Sequence, residues 1–137
     1  MPTRLVQSTH EAAPRSVWAA LRAGFGLRCP HCHQGKLLRA YLKVVDRCPV
    51  CGEAFYHHRA DDAPAYFTIL IVGHVLLPLM LIALEIMPEP QWVHFAVWPA
   101  LAIVMTYTLL PRIKGALVAL QWALRMHGFG TEEAIAE

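Results

Sequence analysis

Apolar and polar positions divide this chain unevenly. Beyond residue 60 two stretches carry no charge, Ala63–Leu84 (22 residues) and Gln91–Pro111 (21 residues), separated by Glu85-Ile-Met-Pro-Glu89-Pro. As a helix each is about 30 Å long at about 1.5 Å per residue, the thickness of a bilayer core. Neither run shows a polar stripe, and a chain this short cannot cover both with other protein. The pattern therefore predicts two transmembrane helices, 63–87 and 91–111, and the short turn between them makes an antiparallel hairpin. Asp61 and Asp62 precede Pro64, so a carboxylate can cap the first helix while the proline fills a first-turn position that needs no donor. Pro88 and Pro90 end it. Trp92 and Trp98 near one membrane face, and Tyr66 and Tyr107 near the other, suit the headgroup zones.

Two shorter segments flank the hairpin. Pro14–Leu27 places Val17, Trp18, Leu21 and Phe25 at near-helical spacing, and Gly115–His127 is similarly apolar. Both are too short to span. Beside Arg22, Arg28, Arg112, Lys114 and Arg125 they suit helices lying in the interface over anionic lipid; the second reads equally well as an extension of the second membrane helix, bent at Pro111. The division expected is an N-terminal segment 1–23, partly disordered with an interfacial helix, a metal module 24–60, the two membrane helices, and an interfacial or extended helix with a frayed acidic tail over 112–137.

Composition agrees. The 137 residues suffice for one ordinary domain, yet 56% are hydrophobic and 16% charged, with a mean hydropathy of +0.39. These values exclude a disordered chain, a strongly basic nucleic-acid packaging protein and an ordinary secreted mini-domain. Nine of the twelve Lys/Arg precede residue 60, and the turn between the spans carries Glu85 and Glu89 but no cation. The positive-inside rule then places both termini in the cytoplasm. Residues 1–28 lack the apolar core of a signal peptide, although their Arg content with a single acid faintly resembles a mitochondrial transit peptide.

All four cysteines fall in one 23-residue window: Cys29-Pro-His-Cys32, fifteen residues, then Cys48-Pro-Val-Cys51-Gly52. This is the spacing of a four-thiolate metal site, in which each CxxC forms a knuckle that turns two sulfurs onto one ion. Gly35 and Gly52 are expected to relieve the turn after each second ligand. The stretch 36–45 is long enough for a small hairpin. A ribbon of this size has almost no core of its own, so the metal is expected to supply the folding energy, of order 10 kcal/mol or more. Zinc is the default ion, and iron in a rubredoxin-like site uses the same ligands. Cys29–His33 also reads as C-x-x-C-H, the covalent haem attachment string, but that chemistry needs the oxidising side of the membrane and leaves the second pair unexplained. Two disulfides conflict with the same compartment, and a thioredoxin-like motif would need a βαβ unit.

Within the first span His74 lies near mid-bilayer, between Gly73 and Pro78. An intramembrane ionisable residue is a candidate proton relay or ligand. The plainer expectation is a neutral imidazole hydrogen-bonded to backbone loosened by Pro78, or to the second helix, where the small Ala100 and Ala102 allow close approach. Glu85 and His94 are expected to meet near the outer surface, as a solvated ion pair more than as a second metal site.

The motifs Cys29-Pro-x-Cys32-x-x-Gly35-Lys36-Leu37, Tyr41-Leu42-Lys43, Cys48-Pro-x-Cys51-Gly52, Asp61-Asp62-x-Pro64-Ala65, Gly73-His74 and Pro111-Arg-x-Lys-Gly115 resemble the bacterial family known as domain of unknown function nine-eight-three, over about residues 24–130. The resemblance implies a bacterial inner-membrane protein with a cytoplasmic zinc ribbon and a helical hairpin. Because such members are often encoded beside cytochrome c oxidase genes, it also implies an accessory or assembly role toward that respiratory oxidase. The residues themselves show no Ser/His/Asp set, phosphate-cradling loop or open three-ligand metal site, so a non-catalytic scaffold that docks on other membrane subunits is expected. Metal or haem handling, with His74, Glu85 and His94 as transient ligands, is the alternative. A lower one is nucleic-acid binding by Arg28, Lys36, Arg39, Lys43 and Arg47, with Tyr41 stacking on a base.

Overall fold

The computed structural model describes residues 14–88 and 90–129; the expectations for residues 1–13, Glu89 and the acidic tail lie outside them. Three helices follow one another, α1 (Val17–Phe25), α2 (Ala63–Ile86) and α3 (Gln91–Ala123), and a 3₁₀ turn at Met126–Gly128 follows α3. No strand forms among the described residues. The segment between α1 and α2 is held by three isolated antiparallel bridges, Arg28 to Lys36, Leu38 to Val44 and Arg47 to Ala54. The hairpin expected over 36–45 is thus a single bridge and turn.

Helices α2 and α3 are the antiparallel pair, and both are long and apolar enough to cross a membrane. Asp62 occupies the N-cap position of α2, but its side chain makes no capping bond. Its carbonyl instead accepts from the amides of Ala65 and Tyr66. Pro64, buried in the first turn, fits as expected, and its carbonyl accepts from the buried Thr68 hydroxyl at 2.7 Å.

At Pro111 the residues left two readings open, a separate interfacial helix or an extension of the second membrane helix. Helix α3 runs through it for 33 residues, about 50 Å at the ordinary rise, so roughly twelve residues continue past the span. A proline inside a helix removes the N–H that would bind the carbonyl four residues earlier, here Tyr107. That carbonyl takes the hydroxyl of Tyr41 from the cysteine segment as its donor. The two tyrosine rings stack, with centroids 4.6 Å apart and planes 13° from parallel. The gap that Pro111 leaves in the helix ladder is filled by a residue sixty-six positions from Tyr107.

The extension of α3 organises everything outside the hairpin. Helix α1 runs back along it, with Gly24 packed on Gly115 so closely that a Cβ on either glycine would collide with the other's carbonyl. The Arg112 guanidinium donates to the Phe25 carbonyl at 3.4 Å, and that of Arg15 donates to Trp122 at 2.6 Å, which fixes the antiparallel sense. Of the two flanking segments, residues 112–123 are the end of α3 and the N-terminal one, α1, is docked on it. Ser16 caps α1 by accepting from Ala19.

A single buried cluster joins α1, the cysteine segment and α3: Ala20, Leu37, Val44, Phe55 and Ala60 meet Val118, Ala119, Trp122 and Phe129. Each large apolar side chain buried this way contributes about 1.5–3 kcal/mol. The cysteine segment therefore has a core after all, borrowed from α3.

Candidate metal centre

The two cysteine pairs are built on one local plan. In the first, the amide of His33 donates to the Cys29 carbonyl at 2.9 Å; in the second, that of Gly52 donates to Cys48 at 3.0 Å. His33 and Gly52 both adopt left-handed backbone, with φ of 59° and 76°. The equivalent of Gly52 in the first knuckle is therefore a histidine, a residue type that tolerates this region better than most non-glycine residues. Gly35 serves differently from expectation. Its carbonyl accepts from Cys29 at 2.8 Å, its amide approaches Cys32 Sγ at 3.4 Å, and a Cβ there would strike Cys48 Sγ. Glu53 repeats the carbonyl contact on the second knuckle, accepting from Cys48 at 2.8 Å.

These two turns bring four thiols together. Cys29 Sγ lies 3.7 Å from Cys51 Sγ and Cys32 Sγ 3.7 Å from Cys48 Sγ, and all four sulfurs lie within 4.8 Å of one another. A tetrahedron with metal–sulfur bonds of about 2.3 Å has sulfur–sulfur edges of about 3.8 Å. The spacing fits a four-thiolate ion, and all four cysteines are free thiols, so two disulfides are not formed. The haem reading also loses support: its two cysteines face the second pair, and Cys29 is fully buried.

The thiols differ in electrostatics. Burial pushes Cys29 well above the ordinary range and raises Cys51 as well. The Gly35 and Gln34 amides hold Cys32 down at about 6, so it is a ready thiolate at neutral pH. A divalent ion would stabilise all four thiolates and release protons on binding. Cys29, Cys32, Cys48 and Cys51 would hold it with every tetrahedral position filled.

Around the centre lie residues that sequence reading did not single out. Trp122 donates from its indole to the Glu53 carboxylate at 3.0 Å, and the Arg15 guanidinium covers its ring at 4.2 Å. Gln121 holds Arg59 by two bonds of 2.9 Å, one to its amide and one to its carbonyl. Polar Gln121 and Trp122 beside each other in an apolar helix were the only trace of this in the sequence.

The membrane candidates are not gathered. The His74 ring bonds to the Leu70 carbonyl one turn earlier, at 2.8 Å, and its side chain is exposed rather than turned to α3. Ala102 faces Val72 and Gly73 across an apolar groove of about 460 Å³ instead. Glu85 makes no ion pair with His94 among the described residues; His94 accepts from the Trp98 indole at 3.1 Å. Asp61 and Asp62 are both exposed. Among the described residues the four cysteines alone form a group of three or more potential ligands.

Neither a curated protein nor a solved structure matches the chain. A family model, described as protein of unknown function (DUF983), matches residues 38–122. That range takes in the second knuckle, both membrane helices and most of the α3 extension, and stops short of the first knuckle. With more than half its length matched, and with the cysteine cluster set ahead of two apolar helices, the chain belongs to the DUF983 family.

Proposed function

We propose that this protein is a non-catalytic accessory subunit of the bacterial inner membrane, in which a structural zinc ion holds a rigid platform on a two-helix anchor. The observation that carries this reading is the join between the parts. The metal knuckles, α1 and the end of α3 share one core, so a partner bound to the platform is fixed relative to the membrane helices. A four-thiolate ion is coordinatively closed, which favours a structural role over turnover. Cations crowded before α2 and after α3, with acids alone between the helices, favour a cytoplasmic platform, where reducing conditions keep the thiols unpaired.

The hairpin favours partners of its own. Most of the apolar side chains of α2 and α3 face outward, Ile69, Leu77, Ile82, Phe95 and Ile103 among them. Lipid covers such a surface, and so do other transmembrane helices. We infer that membrane subunits are the partners, and family resemblance directs attention to a respiratory oxidase. Purification of a tagged copy from native membranes, with metal analysis of the same sample, tests this. About one zinc per chain and stoichiometric membrane partners are expected; a metal-loaded chain that purifies alone would overturn the scaffold reading.

A further inference from the structure

We propose that the turn at Arg39–Lys43 is a lipid-headgroup site that seats the metal platform on the anionic membrane surface. Tyr41 bonds the Tyr107 carbonyl, four residues inside Pro111 and so within the apolar run of α3. A residue that reaches this carbonyl brings its turn to the level of the headgroups. Tyrosine suits that level, since its ring is apolar and its hydroxyl needs a partner.

Chemistry agrees with depth. The turn closes through the Arg39 amide donating to the Lys43 carbonyl at 2.8 Å, which puts Arg39, Tyr41 and Lys43 in one tight turn. Arg39, Tyr41 and Lys43 are exposed, and neither cation makes an ion pair among the described residues. Two cations around an aromatic anchor at headgroup depth are complementary to a phosphodiester surface. Asp61 and Asp62 lie at the same end of the hairpin, so the site competes with acids and needs its paired charges. Nucleic acid fits the turn less well, because the tyrosine that would stack on a base is already stacked on Tyr107.

Lipid contact here would also protect the Tyr41 bond that completes α3 at Pro111, so headgroup charge would feed directly into the seating of the metal platform.

The test uses the full chain, metal-loaded, in nanodiscs of phosphatidylcholine with and without phosphatidylglycerol, read by amide hydrogen exchange over residues 38–44. Phosphatidylglycerol should slow exchange there by at least about fivefold, the effect expected of one surface cation, and high salt should remove the difference. The variant R39Q/K43Q should retain its metal and exchange alike in both discs. Inorganic phosphate added to neutral discs should change nothing, which separates a headgroup from a free anion. Equal exchange of the wild-type turn in the two discs would overturn the proposal, as would protection by phosphate alone or by an added oligonucleotide in neutral discs.

Discussion

The two ends of α3 are covered differently, and the contrast explains how the protein holds together. Past Pro111, Val118, Ala119 and Trp122 are buried against the cysteine segment and α1. Ahead of it, Val97, Ile103 and Val104 stay exposed, and α2 buries only Pro64, Thr68, Val72 and Ala83. One region folds by hiding apolar surface from water and gathers four thiols at the spacing of a single ion. The other keeps its apolar surface outward and depends on lipid or partners to cover it. One helix is thus core-forming in its last third and an anchor in the rest, and Tyr41 marks the boundary.

That contrast can be attacked from its strongest point downward. Cys48→Ser removes a ligand that cannot be replaced from nearby, so bound metal should fall from about one per chain to none, with a loss of order 10 kcal/mol to the platform. The helical signal of α2 and the membrane part of α3 should survive in detergent; its collapse would show that the two regions fold as one. Gly115→Val forces α1 off α3, at a cost of about 1–3 kcal/mol. Limited proteolysis should then release the segment ahead of Gly26 while metal is still bound.

Within the platform, stripping the metal should erase the difference between the thiols. In the folded knuckles Cys32, held at about 6, is mostly thiolate at pH 7, whereas burial keeps Cys29 protonated. Iodoacetamide should label all four thiols of the stripped protein at about the same rate; Cys32 labelled about thirtyfold faster than a thiol of ordinary pKa, by its thiolate fraction, would show knuckles that stand without metal. Mass spectrometry of the peptides reads this directly. Gln121→Ala removes both bonds to Arg59, but Arg59 is exposed and water can replace them, so denaturation should register about 1 kcal/mol. The smallest effect is expected in the membrane. His74→Ala breaks a single bond within one turn on an outward face and should change stability by no more than about 0.5 kcal/mol, leaving metal content intact. A large loss there would point to a role for His74 toward a partner.

Much of this architecture was legible in the residues. Two uncharged runs of bilayer length and two CxxC pairs fifteen residues apart are local signals that need no tertiary context. What escaped was long-range. Pro111 left open whether the helix continues, because the donor for the Tyr107 carbonyl comes from Tyr41 and nothing beside Pro111 announces it. Gly35 resembles a turn glycine, yet the constraint on it is the sulfur of Cys48. Glu85 and His94 looked like partners because they share an end of the hairpin, but the Trp98 indole one turn on is a nearer partner for the imidazole. The ribbon seemed to need metal alone because Leu37, Val44 and Phe55 find their cover on a helix more than sixty residues later.

Amide hydrogen exchange across the whole chain in nanodiscs, before and after stripping the metal with a chelator, tests the central contrast most directly. Loss of protection should spread over residues 28–56, α1 and residues 118–129 together, while α2 and residues 91–111 of α3 stay protected. Protection that survives stripping throughout the platform, or that vanishes equally from the membrane helices, would contradict a metal-folded platform built on the far end of a lipid-covered hairpin.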